Sequence, residues 1–483
     1  MSVLRKNIAF NTLLSISQIL FPLITFPYAS RILGPAGMGA INFADNIITY
    51  FLIFSALGIP MYGVREIAKV KGDPIALGKV FSELILIHLI TSLLSVVALL
   101  VLSLSTQRLL ANFQLYQIGM AILLGNVFIA EWFFQGIEKF KYIALRTVLI
   151  RLFTIVLLFV LVHSVKDLNT YYALNLVATV FAAVTNMYSI SKIIKVSFRN
   201  LAFKHHLKPL LVIFSNSIIT TIYLVFDSII LGFLTSNIHV GYYASAMRIS
   251  KLSMVVIGVL SAVLLPRLTI AFKEKNWEEA KMLLHKSINF VMFLSIPIAI
   301  GTFCLSEEII RLFAGDQYLP AVGALQILSF IVIFVGMAQV FANEILLPLH
   351  HERKILYASL FGMVVSLGLN FLLIPHFKES GAAITSLTTE FTVSMVLFYF
   401  SFKLFKLNFP WLESIQAICT SLTFFIVKML VLKVTTVPVL VIIITVLLSA
   451  CIYLVSQLYL WKNKHVLEVL SGFKIFNFSG GSR

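Results

Sequence analysis

Apolar runs recur along this chain at the length of roughly 20 residues that an α-helix needs to cross the hydrocarbon of a bilayer. Fourteen spans are predicted, at about 8–30, 39–62, 80–103, 115–135, 148–163, 169–190, 210–232, 241–265, 288–304, 320–346, 356–374, 381–400, 413–431 and 438–460. Some of them carry polar stripes. In the first span, Asn11, Ser15, Gln18, Pro22 and Thr25 recur at steps of three or four, so they share one helical face. Span 2 repeats this with Asn42, Asp45, Asn46 and Thr49, and span 7 with Asn216, Thr220, Tyr223 and Asp227. Lipid disfavours such stripes, which predicts a wet interior built from spans 1, 2, 7 and 8. Spans 1 and 2 are joined by the turn Gly34-Pro35-Ala36-Gly37-Met38-Gly39. Pro22 and Pro27 are expected to bend span 1, and Pro297 span 9.

Composition agrees. Of 483 residues, 60% are hydrophobic and 12% charged, with mean hydropathy +0.99. Soluble domains are about a quarter charged. The chain is therefore read as an all-α polytopic membrane protein. Its connections, none longer than about 25 residues, leave no room for a soluble domain of ordinary size. Cys304, Cys419 and Cys451 stand singly, without disulfide or zinc spacing.

Net charge is +17, from 37 Lys and Arg against 20 Asp and Glu. Twenty-seven of the basic residues lie in the N-terminal tail, the even-numbered loops and the C-terminal tail, and six in the odd-numbered loops. Such a bias places both termini in the cytoplasm and requires an even number of spans. Charge gathered on one membrane face points to anionic lipid rather than nucleic acid.

The chain also resembles itself at an offset near 202, with Gly39–Ile47 falling on Gly241–Ile249. An even number of spans between repeats makes them parallel, related by an axis along the membrane normal. The expected organisation is a six-helix lobe at 1–202, a second at 203–408, and two further helices with a cytoplasmic tail at 409–483.

Nine charged residues inside spans are singled out as needing a reason: Asp45, Glu131, Arg151, Asp227, Arg248, Lys251, Glu344, Glu390 and Lys428. Each costs at least ~2.5 kcal/mol in hydrocarbon. Arg248 and Lys251 lie one turn apart on span 8 and repel unless an anion neutralises them. They are candidate ligands for a phosphate-bearing headgroup, with Asp227 or Asp45 as the alternative partner. Arg31 closes span 1 and is a third candidate, though snorkelling also accounts for it. Asp45 is a candidate counter-ion or proton site. Asn11, Gln18, Asn42, Asn216 and Asp227 are candidate cavity-lining groups. Arg151 is read as snorkelling, Glu131-Trp132-Phe133-Phe134 as an interfacial aromatic belt, and Glu344 and Glu390 as partners internal to a lobe. Lys428 receives no role. His205, His206, His350 and His351 are read as solvated, and His88 as a hydrogen-bonded core histidine. No nucleophile–base arrangement, GxGxxG or Walker loop is present.

Three stretches carry a family resemblance: RILGPAGMGAINFADNIITYFLIFSALGIPMYGVREIAKVKGD (31–73), EWFFQGIEKFKYIALRTVLIR (131–151) and SLGLNFLLIPHFKESGAAITSLTTEF (366–391). In this order they resemble the Wzx-like polysaccharide flippases of the multidrug/oligosaccharidyl-lipid/polysaccharide exporter superfamily. The resemblance covers most of residues 1–402. It implies two six-helix lobes in a V, extra helices, and movement of an undecaprenyl-diphosphate-linked oligosaccharide from the inner to the outer leaflet of a bacterial cytoplasmic membrane. It also implies that Arg31 and Arg248 occupy positions where related flippases carry cations; Lys251 and Asp45 follow less directly. No coupling-ion site carries over.

The expected activity is thus transport rather than catalysis, with a lipid-linked glycan and membrane lipid as partners and other polysaccharide-assembly proteins as further candidates. No cofactor or metal is called for; a proton or sodium gradient is one candidate energy source. The competing readings are a cation-coupled multidrug exporter, which would favour acidic and aromatic lining, a membrane glycan polymerase or ligase, which would need a larger outer loop, and a non-transporting scaffold.

Overall fold

The computed structural model describes residues 3–196, 201–407 and 409–461; side chains at 3–13, 15–16, 18–19, 216–217, 219–224, 256 and 258–263 lie outside the described residues. Among the described residues the fold is all helical. Contacts gather the chain into two units, Met1–Gly241 and Tyr242–Arg483.

The first unit opens with α1 (Val3–Ala56), two helices meeting at Gly34, whose φ of 66° suits a residue without Cβ. Helical backbone continues through Pro22 and Pro27. After a second break at Leu57 and Gly58 comes α2 (Ile59–Lys69). Asp73 caps α3 (Pro74–Ser105), its carboxylate accepting from the backbone N–H of Ile75 and Ala76, with Pro74 at the first position. The short α4 (Gln107–Leu110) leads to α5 (Phe113–Ile129) and α6 (Glu131–Gly136), separated by Ala130 in a left-handed conformation. Then follow α7 (Phe140–Leu161), α8 (Leu168–Ser191) and α9 (Lys204–Leu234). The first turn of α10 (Asn237–Lys273) still belongs to this unit.

The break at Ala130 changes one expectation. It turns α6 inward, so Trp132, Phe133 and Phe134 are buried with Ile59, Tyr62 and Phe81 in one core cluster. Phe81 stacks on Trp132 at 5.6 Å. These aromatic residues form a core at the end of the spans rather than an interfacial belt.

The second unit holds the rest of α10, α11 (Trp277–Cys304), capped by Asn276, and the amphipathic α12 (Ser306–Phe313). A 3₁₀ turn leads to α13 (Val322–Leu328) and α14 (Ile331–Gln339), which runs into a π-helical turn at Val340–Leu346. The long α15 (Glu352–Leu404) is two helices meeting at Lys378, which has φ 50°. Last come α16 (Trp411–Leu432) and α17 (Pro438–Val455). They pack on α11 and on each other, and the Tyr453 hydroxyl donates to the Phe293 carbonyl at 2.8 Å.

Nine helices among the described residues are long and apolar enough to cross a membrane, and the bent pair Asp316–Leu328 and Ile331–Leu346 supplies a tenth. Leu20–Lys69 and Glu352–Leu404 run to 50 and 53 residues. A single crossing takes roughly 20.

Candidate functional site

Among the described residues of the stripes on α1, three polar side chains bond to the helix itself. Asn42 donates to the Met38 carbonyl at 2.7 Å, Thr25 to Phe21 at 3.1 Å and Thr49 to Asp45 at 2.8 Å. Such bonds to the carbonyl one turn back explain polar groups at helical spacing without water. Asp45 is exposed, and the buried Tyr172 of α8 donates to its carboxylate at 3.3 Å. Arg31 is exposed and donates to the Pro27 carbonyl at 2.8 Å. Asp227 is buried on α9, within electrostatic range of Tyr50. The side chains of Asn11, Gln18 and Asn216 lie outside the described residues.

In the second unit, Arg248 is half-buried and Lys251 exposed, one turn apart on α10. Arg248 acts on Lys251 with like charge and Glu390 of α15 with opposite charge.

At one end of the first unit, the backbones of α1 and α10 touch. A Cβ on Gly39 would lie 1.7 Å from the Asn237 carbonyl oxygen, and one on Gly241 2.1 Å from that of Pro35. These two glycines are the ones the internal repeat aligns. Arg108 braces the contact, donating to the Gly232 carbonyl at 3.0 Å and to Asn237 Oδ1 at 2.9 Å.

At the opposite end lies a buried polar network that the sequence reading missed. His206 is 1% exposed rather than solvated. Its Nδ1 meets the Tyr62 hydroxyl at 2.8 Å and its Nε2 meets Glu83 Oε2 at 3.0 Å, while Glu83 Oε1 accepts from the Ala202 N–H at 2.8 Å. Glu83, His205 and His206 bring ligand atoms within 4.8 Å of one another, the geometry of a candidate metal site. Both His206 nitrogens and both Glu83 oxygens already have protein partners, so the network holds α2, α3 and α9 together without an ion. Burial holds the His206 imidazole below the usual histidine range, against the opposing pull of Glu83.

Arg151 donates to the Ser17 carbonyl at 3.0 Å and lies over the Phe21 ring. Three other expectations change. Glu131 pairs with Arg146. Lys428 has a role, donating at 2.8 Å both to Glu308 and to the Cys304 carbonyl, which ties α16 to α11 and α12. His88 is buried, and neither ring nitrogen has a partner among the described residues. Glu344 does have a partner within its own unit, accepting from the Ser287 hydroxyl at 3.0 Å. No local spacing signals the Arg146, Glu308 or Glu83 contacts, since their partners lie 15 to 123 residues away.

Comparison with known proteins follows the same lines. The family described as polysaccharide biosynthesis protein matches residues 4–272, and the MatE family matches 212–372. The chain is 25% identical over 403 residues to a protein of Escherichia coli (strain K12) named "Putative O-antigen transporter", covering 82% of this chain and 96% of that one. Its fold is similar to that of the lipid II flippase MurJ in an inward closed conformation, with TM-score 0.73 and 17% identity over 94% of this chain and 99% of the other. An inward-facing multidrug resistance MATE family transporter of the MOP superfamily aligns with TM-score 0.63 and 17% identity, over 80% and 93% of the two chains. With a family match over more than half its length, the chain belongs to the polysaccharide biosynthesis protein family.

Proposed function

We propose that this protein is a flippase that moves a lipid-linked oligosaccharide, of the undecaprenyl-diphosphate type, from the cytoplasmic to the outer leaflet for surface polysaccharide synthesis. The single observation that carries the reading is the pairing of Arg248 and Lys251, one turn apart on an apolar helix, with Glu390 as the counter-charge acting on Lys251. A diphosphate brings about two negative charges, and the arginine fork suits bidentate contact with its oxygens. Arg31 is the third cation assigned to the headgroup. Family membership and the O-antigen transporter relative support the substrate class.

The motion we assign is alternating access, by rocking of the repeat halves 1–202 and 203–408, with both termini cytoplasmic. The hydrated glycan follows the cationic route while the polyprenyl tail stays in lipid.

The test is export of lipid-linked glycan in cells whose chromosomal copy is replaced. Arg248→Ala is expected to abolish surface polysaccharide with normal membrane abundance, and Arg248→Lys to recover part of it. Unchanged polysaccharide in the Arg248→Ala strain would refute the headgroup assignment. The MatE match over 212–372 favours a second reading, cation-coupled drug export. That reading instead predicts that deletion sensitises cells to cationic drugs while polysaccharide is unchanged.

A further inference from the structure

An open cavity of about 550 Å³ lies between α7 and α8 in the first unit. It is within the size range of small-molecule sites, roughly 300–1,000 Å³. Its walls are mostly apolar, formed by Leu145, Leu149, Ile150, Phe153, Phe181 and the ring of Tyr188, with Tyr142, Thr185 and Ser189 adding hydroxyl groups. Leu149 and Tyr188 are 66% and 63% exposed, so the cavity is a groove open to the surroundings of the bundle.

One charged group lines it. Arg146 is 8% exposed. Its Nη2 pairs with Glu131 and donates to Thr147 Oγ1 at 3.1 Å. Its Nε and Nη1 are buried and have no hydrogen-bond partner among the described residues. A guanidinium carries five N–H donors and cannot shed its charge. Buried donors without an acceptor are costly, and native structures supply one. Because Glu131 already balances the charge, what Arg146 lacks is acceptor oxygens rather than a full counter-ion.

The depth of the groove suggests what brings them. Arg146 lies six residues into α7 from Phe140, or about 9 Å along the axis. The mouth carries Lys192, whose ammonium sits 4.1 Å from the centroid of the Tyr188 ring. Lys139 and Lys141 lie at the same end of α7, on the face rich in basic loops. A ligand that fits has an anionic head at the mouth, oxygens just beneath it, and an aliphatic chain below those.

We propose that the α7–α8 groove is a binding site for an anionic glycerophospholipid of the leaflet facing the basic loops. An acyl chain lies along Leu149, Phe153 and Phe181. An oxygen of the ester region is held by Arg146, and the phosphate is met by Lys192. The site uses residues of the first unit, and it does not depend on the transport reading.

The test uses the full chain, delipidated in detergent and then exposed to vesicles of phosphatidylglycerol or phosphatidylcholine. Native mass spectrometry counts retained lipid. Phosphatidylglycerol should be retained at about one per chain and preferred by about fivefold, the effect of one basic residue near anionic lipid. Leu149→Trp fills the groove from an exposed position one turn from Arg146, and should remove the retained lipid while leaving the melting temperature of the delipidated protein unchanged. The double variant Arg146→Gln/Glu131→Gln keeps the shape and should weaken retention. Equal retention by wild type and Leu149→Trp overturns the proposal. So does equal retention of the two lipids, or displacement of phosphatidylglycerol by polyprenyl phosphate, which would make the groove a seat for the tail of a transported lipid.

Discussion

Replacing Gly39 by alanine is expected to force apart the backbones of α1 and α10. The added Cβ would lie 1.7 Å from the Asn237 carbonyl oxygen and 2.8 Å from the Gly241 nitrogen. Real Cβ contacts begin near 3.0 Å, so one backbone must retreat by about 1.3 Å. No rotamer change relieves this, because the obstructing atoms are main chain. Overpacking of this kind costs ~1–3 kcal/mol, and the loss of close Cα–H···O contact adds ~0.5–1 kcal/mol. At about 2–4 °C per kcal/mol for a unit of this size, the melting temperature should fall by roughly 5–10 °C. Gly241→Ala, whose Cβ would lie 2.1 Å from the Pro35 oxygen, should behave alike. The double variant should cost less than the sum, because the first separation makes room for the second Cβ. The assay is thermal unfolding of the full protein in lipid nanodiscs. Gly72→Ala is the control, since nothing lies within 4 Å of its Cβ. A Gly39→Ala protein that melts with the Gly72→Ala control would refute the contact.

Three further outcomes follow from the buried networks. Lys428→Met leaves Glu308 without its cation; with side chains 18% and 10% exposed, the loss should be about 2–3 kcal/mol, below the 3–5 of a fully buried pair, and Lys428→Met/Glu308→Gln should recover part of it in the same melting assay. Tyr62→Phe removes the bond to His206 and should cost about 1 kcal/mol, with no loss if the hydroxyl is instead solvated. Because the His206 pKa is depressed in the folded chain, its contribution is complete above the unfolded value of 6.5 and is lost as pH falls toward the folded pKa. Melting temperature should therefore drop more steeply below pH 6.5 in wild type than in His206→Gln; parallel pH profiles would contradict the assignment.

Much of the fold was legible because a bilayer imposes one strong rule, that apolar helices of a set length carry the chain. The turn at Gly34 follows from local chemistry in the same way. What the pattern could not reveal was which polar groups find partners far along the chain. Asn42 also bonds to its own helix, which its spacing alone does not reveal. Arg146 falls between the predicted spans 115–135 and 148–163 and drew no reading of its own, because the left-handed Ala130 before α6 leaves no trace in periodicity. His206 looked solvated for its basic neighbours, yet Glu83 and Tyr62 reach it from 123 and 144 residues away. Of the candidate headgroup cations, the pair Arg248 and Lys251 was readable from spacing alone, since one turn of helix fixes their proximity.

The tie between Lys428 and Glu308 also sets an order of events during synthesis. The two residues are 120 positions apart, so at about 5–20 residues per second the carboxylate waits roughly 6–24 s at the ribosome-bound stage before its partner exists. Over that interval α12 holds a charge that its mature surroundings would not accept unpaired. The second half of the protein therefore completes its assembly when α16 arrives, and a nascent chain stalled before that helix should be the form that quality-control proteases recognise.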